Sequence, residues 1–164
     1  MLLGLIADTH GHLGADAREA LRGCDHVLHA GDVGGGVLGP LSELAPLTAV
    51  RGNNDLAGEA AALAEVAFLE LAGRRIAVVH RLVDAPPDGS FDILVFGHCH
   101  KTHDDEANGR RYINPGAAGL RGFHRQRTLA LLHLYKDSAD LEFIMLDARN
   151  RKSKIENRKS AVAR

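Results

Sequence analysis

Seven side chains able to bind divalent metals recur at short intervals in this chain. They are Asp8 and His10 in Asp8-Thr9-His10, Asp32 in Gly31-Asp32, Asn53 in Gly52-Asn53-Asn54-Asp55, an isolated His80, and His98 and His100 in Gly97-His98-Cys99-His100. All are imidazole, carboxylate or amide, with no thiolate among them, a donor mixture suited to divalent Mn, Fe, Ni or Zn. Seven donors exceed one tetrahedral site and match two ions that share a bridging ligand. A two-metal hydrolytic centre is the chemistry such a set can perform.

Each donor needs an element to hold it, and the pattern places most of them just beyond short apolar runs. Leu2–Ala7 reads as a buried strand, Ala15–Arg22 as a helix stopped by Gly23, and His26–His29 as a second strand. Leu38–Glu43 reads as a short helix, Leu47–Val50 as a third strand, and Ala57–Ala64 as a further turn or two of helix. Val66–Leu71 and Arg75–Val79 flank Ala72-Gly73-Arg74 as a hairpin, and Pro86-Pro87-Asp88-Gly89 breaks the chain. Ile93–Phe96, Arg110–Ile113, Thr128–Tyr135 and Leu141–Leu146 complete a strand-rich second half. The first half is thus βαβαβ and the second mostly antiparallel, which predicts an α/β fold of two mixed sheets packed as a sandwich flanked by helices. Asp8, Asp32, Asn53, His80 and His98 each follow a predicted strand, so one edge, outside the strands' carboxyl ends, can gather the whole set.

At 164 residues, with 45% hydrophobic and 25% charged residues, the chain suits one domain with a real core. Residues 149–164 carry seven Lys or Arg against Glu156 alone, leaving 13 basic and 20 acidic residues in 1–148, a body of about −7. The expected division is therefore a domain over 1–148 and a solvated basic tail over 149–164. An acidic body argues against a nucleic-acid partner. No apolar stretch approaches the roughly 20 residues of a membrane span. Cys24 and Cys99 show no pairing pattern, and Met1–Ala7 lacks a basic leader, which together predict a cytoplasmic protein.

In their order along the chain, Asp-x-His, Gly-Asp, Gly-Asn, a His after a strand and Gly-His-x-His resemble the motifs of the calcineurin-like metallophosphoesterases. The likeness is specifically to their small bacterial and archaeal phosphodiesterase branch. Asn114-Pro115-Gly116 matches a further loop of that branch, and the resemblance spans roughly residues 2–146. It implies one ion held by Asp8, His10, Asp32 and His100, and a second by Asp32, Asn53, His80 and His98, with Asp32 bridging. It further implies a hydroxide between the ions that attacks the phosphorus of a small phosphodiester, with Mn the first choice of metal and Zn, Fe or Ni alternatives. Self-association into a homo-oligomer stays open.

Two positions depart from the family pattern. Many relatives have His after Gly-Asn, where this chain has Asn54, which hydrogen-bonds but is no proton donor in the usual sense. His12 or His124 are the candidates to replace it. Arg81 stands where the family usually has Gly, either crowding the second ion or offering a bidentate contact to substrate phosphate. Arg121, with Arg125 and Arg127, forms another candidate phosphate clamp, and His26, His29 and His133 read as core or edge residues. Gly34–Gly39 satisfies G-x-G-x-x-G with Asp55 some twenty residues later, but it follows the second strand and Pro40 interrupts its helix, so dinucleotide binding is the weaker reading. A protein-binding scaffold on the same fold is the alternative to catalysis, and the full set of seven donors favours catalysis.

Overall fold

A computed structural model describes residues 1–120 and 126–146. In chain order the elements are β1 (Leu2–Ile6), α1 (Ala15–Leu21), β2 (His26–His29), α2 (Leu38–Ser42), β3 (Leu47–Ala49), α3 (Gly58–Ala61), β4 (Val66–Leu71) and β5 (Arg74–Val79). A 3-10 turn at Leu82–Asp84 precedes β6 (Ile93–Val95), β7 (Thr102–Ala107), β8 (Arg110–Pro115), β9 (Thr128–Leu134) and β10 (Ala139–Met145). Two five-stranded sheets result, ordered β10-β9-β1-β2-β3 and β4-β5-β6-β8-β7.

Alternation along the strands builds the layers. Leu3 and Leu5 of β1 point between the sheets with Leu28, and meet Ile76, Val78, Ile93, Val95 and Ile113 from the second sheet. Ile6 and Val27 point the other way, into a cluster with Ala17 and Leu21 of α1, Leu41 of α2 and Ala60 of α3. A side chain at Gly4 would collide with Leu21, so this glycine lets α1 lie close against β1. The outer face of the second sheet carries Ala77, Val79, Leu94 and Phe96 under Phe91 from the β5–β6 crossover. The helices thus cover one outer face and an irregular segment covers the other, because Pro86-Pro87 denies that crossover a helix. Among the described residues no helix is long and apolar enough to cross a membrane.

The sandwich is as expected, but its second half is less antiparallel than the pattern suggests. β5–β6 and β6–β8 are parallel, while β9 returns to the first sheet antiparallel to β1 and β10 pairs antiparallel with β9. β7 is absent from the sequence-based reading. All six of its residues are exposed, so it has no apolar alternation, and it is held through its register with β8. The available signal is Asn108-Gly109, whose backbone is left-handed at both residues (φ 53° and 72°), as a type I′ hairpin turn requires.

Candidate metal centre

The carboxyl ends of β1, β2 and β3 from one sheet, and of β5 and β6 from the other, open onto one cluster. Asp32 is its midpoint: Oδ2 lies 3.8 Å from His10 Nε2 and 3.4 Å from His80 Nε2. Asn53 Oδ1 is 3.0 Å from His80 Nε2, and Asp8 Oδ1 is 3.3 Å from His100 Nε2. Asp8 Oδ2 accepts the His98 backbone N–H at 3.0 Å. The His80 and His98 rings stand 5.1 Å apart, and those of His10 and His100 5.5 Å. The structure therefore brings all seven predicted donors together. Asp8, Asp32 and His80 form a buried floor, while His10, Asn53 and His98 form an exposed rim.

Polarity in this cluster is lopsided towards acceptors. His80 Nδ1–H donates to the Ala30 carbonyl at 2.8 Å, which leaves Nε2 facing Asn53 Oδ1 and Asp32 Oδ2. Burial works against ionisation of Asp32, yet hydrogen bonds from His80 and from Asn54 outweigh it and hold the carboxyl well below the usual carboxylate range. Burial would depress the His80 pKa, but Asp32 and the Ala30 carbonyl raise it, and the Asp8 carboxylate raises that of His100. Asn54 donates twice to Asp32, from its backbone N–H to Oδ1 at 2.8 Å and from Nδ2 to Oδ2 at 2.7 Å. Its amide is thus engaged with the central carboxylate.

Several residues outside the predicted set fix the loops. The buried Asp55 carboxylate accepts backbone N–H groups from Val33 (3.0 Å), Gly34 (2.9 Å) and Gly52 (2.7 Å), tying the loop after Asp32 to the loop bearing Asn53. Gly52 presses so closely on Asp32 that an added Cβ would fall 2.1 Å from its Oδ1. Asn114 donates to the Gly97 carbonyl at 2.8 Å and accepts from Gly116, bracing the turn before His98. Asp55 was legible only as the acid of a dinucleotide fingerprint. Its carboxylate is taken by the amides of Val33 and Gly34, at the start of that glycine loop.

A second buried relay lies beneath the floor. Thr9 Oγ1 donates to the Val33 carbonyl at 2.7 Å and so accepts from His29 Nε2–H at 2.9 Å, while His29 Nδ1 accepts the Gly31 N–H. Both ring nitrogens are committed to the neutral form. Burial outweighs the nearby Asp8 and Asp55 carboxylates and lowers the His29 pKa to about 4. Below pH 6.5 the unfolded chain takes up this proton before the folded one does. Stability should therefore fall as pH drops from 6.5 towards 4, with a slope reaching about 1.4 kcal/mol per pH unit from this residue. Urea unfolding of His29→Gln at pH 5 and pH 7 should show that limb flattened, and an unaltered slope would remove His29 as its source.

The remaining candidates are dispersed. His12 is half-buried two residues after His10, and belongs to neither of the donor groups whose ligand atoms lie within 4.8 Å of one another. Arg81 is bound through Nε and Nη2 to Asp84 at 2.8 and 3.1 Å, in an exposed ion pair. Arg127 is not part of a free positive cluster. It bonds Asp16 at 2.9 and 3.2 Å and the carbonyls of Ala118, Gly119 and Leu146, because it emerges from the chain facing inward. Cys99 is exposed, with its sulfur 3.3 Å from the Asn114 amide. His26 and His133 are half-buried strand residues. Arg121, His124, Arg125 and the tail expected over 149–164 lie outside the described residues.

These donors fit divalent cations. Asp8 Oδ1 is buried without a hydrogen bond, and Asp8-His10-His100 and Asp8-Asp32-His80 each present three ligand atoms to a common point. The backbone is left-handed at Asp8, His10, Asp32, His98 and His100, with φ between 46° and 72°. Such conformations are sparsely populated by non-glycine residues and concentrate at functional sites.

The chain is similar in structure to zinc-complexed wild-type Vps29 from Entamoeba histolytica, at 22% identity and TM-score 0.65, over 90% of this chain and 100% of that one. It is similar to a novel archaeal phosphodiesterase at 25% identity and TM-score 0.71, over 88% and 100%. It is also similar to YfcE, a phosphoesterase from E. coli, at 22% identity and TM-score 0.66, over 90% and 100%. No curated protein matches the sequence. The family model of the calcineurin-like phosphoesterase superfamily domain matches residues 1–137, a span that takes in every loop of the donor cluster. By that match, this chain belongs to the calcineurin-like phosphoesterase superfamily.

Proposed function

We propose that this protein is a phosphodiesterase dependent on two divalent cations, with Mn the first choice and Zn, Fe or Ni alternatives. The observation that carries the reading is Asp32, a buried carboxylate set between His10 and His80 with four further donors around them. Asp8, His10, Asp32 and His100 would hold one ion, and Asp32, Asn53, His80 and His98 the other. When bound, the ions supply charge neutralisation at the phosphoryl oxygens and a water acidic enough to act as nucleophile near neutral pH. The chain's own residues then position and orient. His80 is fixed in the tautomer that presents Nε2 by its Ala30 contact, and Asn54 holds the plane of the Asp32 carboxylate. Asn53 and His98, on the exposed rim, stand where a substrate arrives. With the Asn54 amide engaged on Asp32, protonation of the leaving group falls to His12 or His124, and Arg121 serves as a phosphate contact.

Further parts of this reading are a small phosphodiester substrate, a cytoplasmic setting, and a catalytic domain over 1–148 followed by a basic tail that is not needed for turnover. The scaffold alternative draws on the likeness to Vps29 and on the departures at Asn54 and Arg81.

The deciding experiment strips the protein of metal and resupplies Mn²⁺ while following a chromogenic phosphodiester and its monoester counterpart. Turnover should return with Mn²⁺, favour the diester, and fall by more than about a hundredfold in His98→Ala. Two bound ions without turnover of either ester would favour the scaffold, and an absence of metal binding would overturn both the centre and the activity. Arg81 adds a second expectation. If it leaves Asp84 to contact substrate phosphate, Arg81→Gly should raise KM for the diester about tenfold with unchanged metal content. A gain in second-ion occupancy would instead identify Arg81 as an obstruction.

A further inference from the structure

The two sheets have four edges, and three are protected. β7 presents Asp104, Asp105 and Glu106 in succession, all exposed. β10 exposes Asp140 and Glu142, and β3 is only three residues long. Charge and brevity are the usual defences of an edge strand. β4 has neither. It is six residues long with Glu70 as its one charge, and Phe68 projects outward 59% exposed, opposite the small Ala77 of β5. Ala67, Leu69 and Leu71 face inward against the inter-sheet core, so the strand is anchored while its outer edge is unpaired among the described residues.

We propose that β4 is the seam of a two-fold homodimer, paired antiparallel with the same strand of a second copy, with the two Phe68 rings meeting on the axis. A two-fold axis perpendicular to the sheet keeps outer face with outer face. Register must therefore pair residues of like parity. Centring on Phe68 sets ring against ring, Ala67 against Leu69 and Val66 against Glu70, whereas centring on Leu69 would set Phe68 against Glu70. Cross-strand aromatic pairs are among the favourable ones. In the Phe68 register the two Glu70 carboxylates are four residues apart along the ladder, roughly 13 Å, beyond the Debye length of about 8 Å. Self-pairing of β7 would instead bring its acidic residues face to face. With a single charge, β4 offers little for a charged foreign segment to read, and it is self-complementary in the way an isologous dimer needs. A six-residue ladder is a small interface, so the dimer should dissociate on dilution.

The test is sedimentation equilibrium on the full, metal-loaded chain from about 1 to about 200 µM, a range that brackets micromolar association. Wild type should rise from 17.6 kDa towards twice that mass. Phe68→Lys, altering an exposed side chain, should remain a monomer with an unchanged circular dichroism spectrum and unfolding midpoint. Mild oxidation of Phe68→Cys should give an intermolecular disulfide mapped by mass spectrometry to residue 68 on both sides, and Glu70→Cys should not link to itself. A wild type monomeric throughout overturns the proposal, including the case in which the chain's own residues after 146 cover β4. So does a Phe68→Lys protein that dimerises like wild type, or a Phe68→Cys dimer that fails to cross-link.

Discussion

Asp32→Ala should strip the protein of both ions and lower phosphodiester turnover by about a thousandfold or more, some 4 kcal/mol of transition-state stabilisation. No other single substitution is expected to do as much. The Asp32 carboxylate lies within 4 Å of both His10 and His80, which stand on loops from different sheets. Its removal also frees the two Asn54 donors and leaves Asp8 as the remaining carboxylate of the donor set. Metal analysis by plasma mass spectrometry provides the contrast. Asn53→Ala, which removes a donor to one ion only, should retain about one equivalent, whereas Asp32→Ala should retain close to none. Two ions bound to Asp32→Ala would show that the bridge lies elsewhere.

Asp55→Ala should be the most destabilising change outside the core. Three backbone N–H groups lose their acceptor, those of Val33 and Gly52 where they are buried from solvent and that of Gly34 where it is partly buried. Each orphaned buried donor costs about 1–3 kcal/mol, so a loss of roughly 3–5 kcal/mol is expected after partial relaxation. That is a large share of the about 5–15 kcal/mol that holds an ordinary domain together. Urea unfolding should show the drop, and metal affinity should fall with it, since the tethered amides sit beside Asp32 and Asn53. Asp55→Asn, which still accepts but turns an NH₂ towards the same donors, should fall between the two. A near-neutral Asp55→Ala would mean that these loops hold their shape without the tether.

The donors were legible in the sequence because five of the seven stand where an apolar run stops, with His10 and His100 two residues beyond such a position, and strand ends are where an α/β sheet exposes side chains to a common edge. Their direction was less legible. Arg127 belongs by spacing to an arginine cluster, but its guanidinium turns inward to Asp16, which spacing cannot report. Asp55 works through backbone amides and leaves no periodic trace. The parallel pairing of β5, β6 and β8 escaped because the β5–β6 crossover lacks the helix that a parallel connection usually brings. β7 escaped because a fully exposed strand has no hydrophobic signature. Arg81 shows the limit from the other side. Sequence alone left it as obstruction or phosphate contact, and the structure adds a third partner, Asp84, from which either role must first release it.

The two sheets share the donors almost evenly, four from loops after β1, β2 and β3 and three from loops after β5 and β6. At the opposite end of the sandwich Arg111 of the second sheet donates to the Ala139 carbonyl of the first, beside the apolar core. A pair of bound ions would therefore act as a staple as well as a reagent, cross-linking residues of the two sheets roughly thirty to ninety positions apart, much as a disulfide does in a secreted protein. At a hundred times its dissociation constant, one ion adds about 2.7 kcal/mol to the folded state. Resistance to heat and proteolysis would then report the metal supply around the protein, and a starved chain would loosen first at the end where its substrate enters.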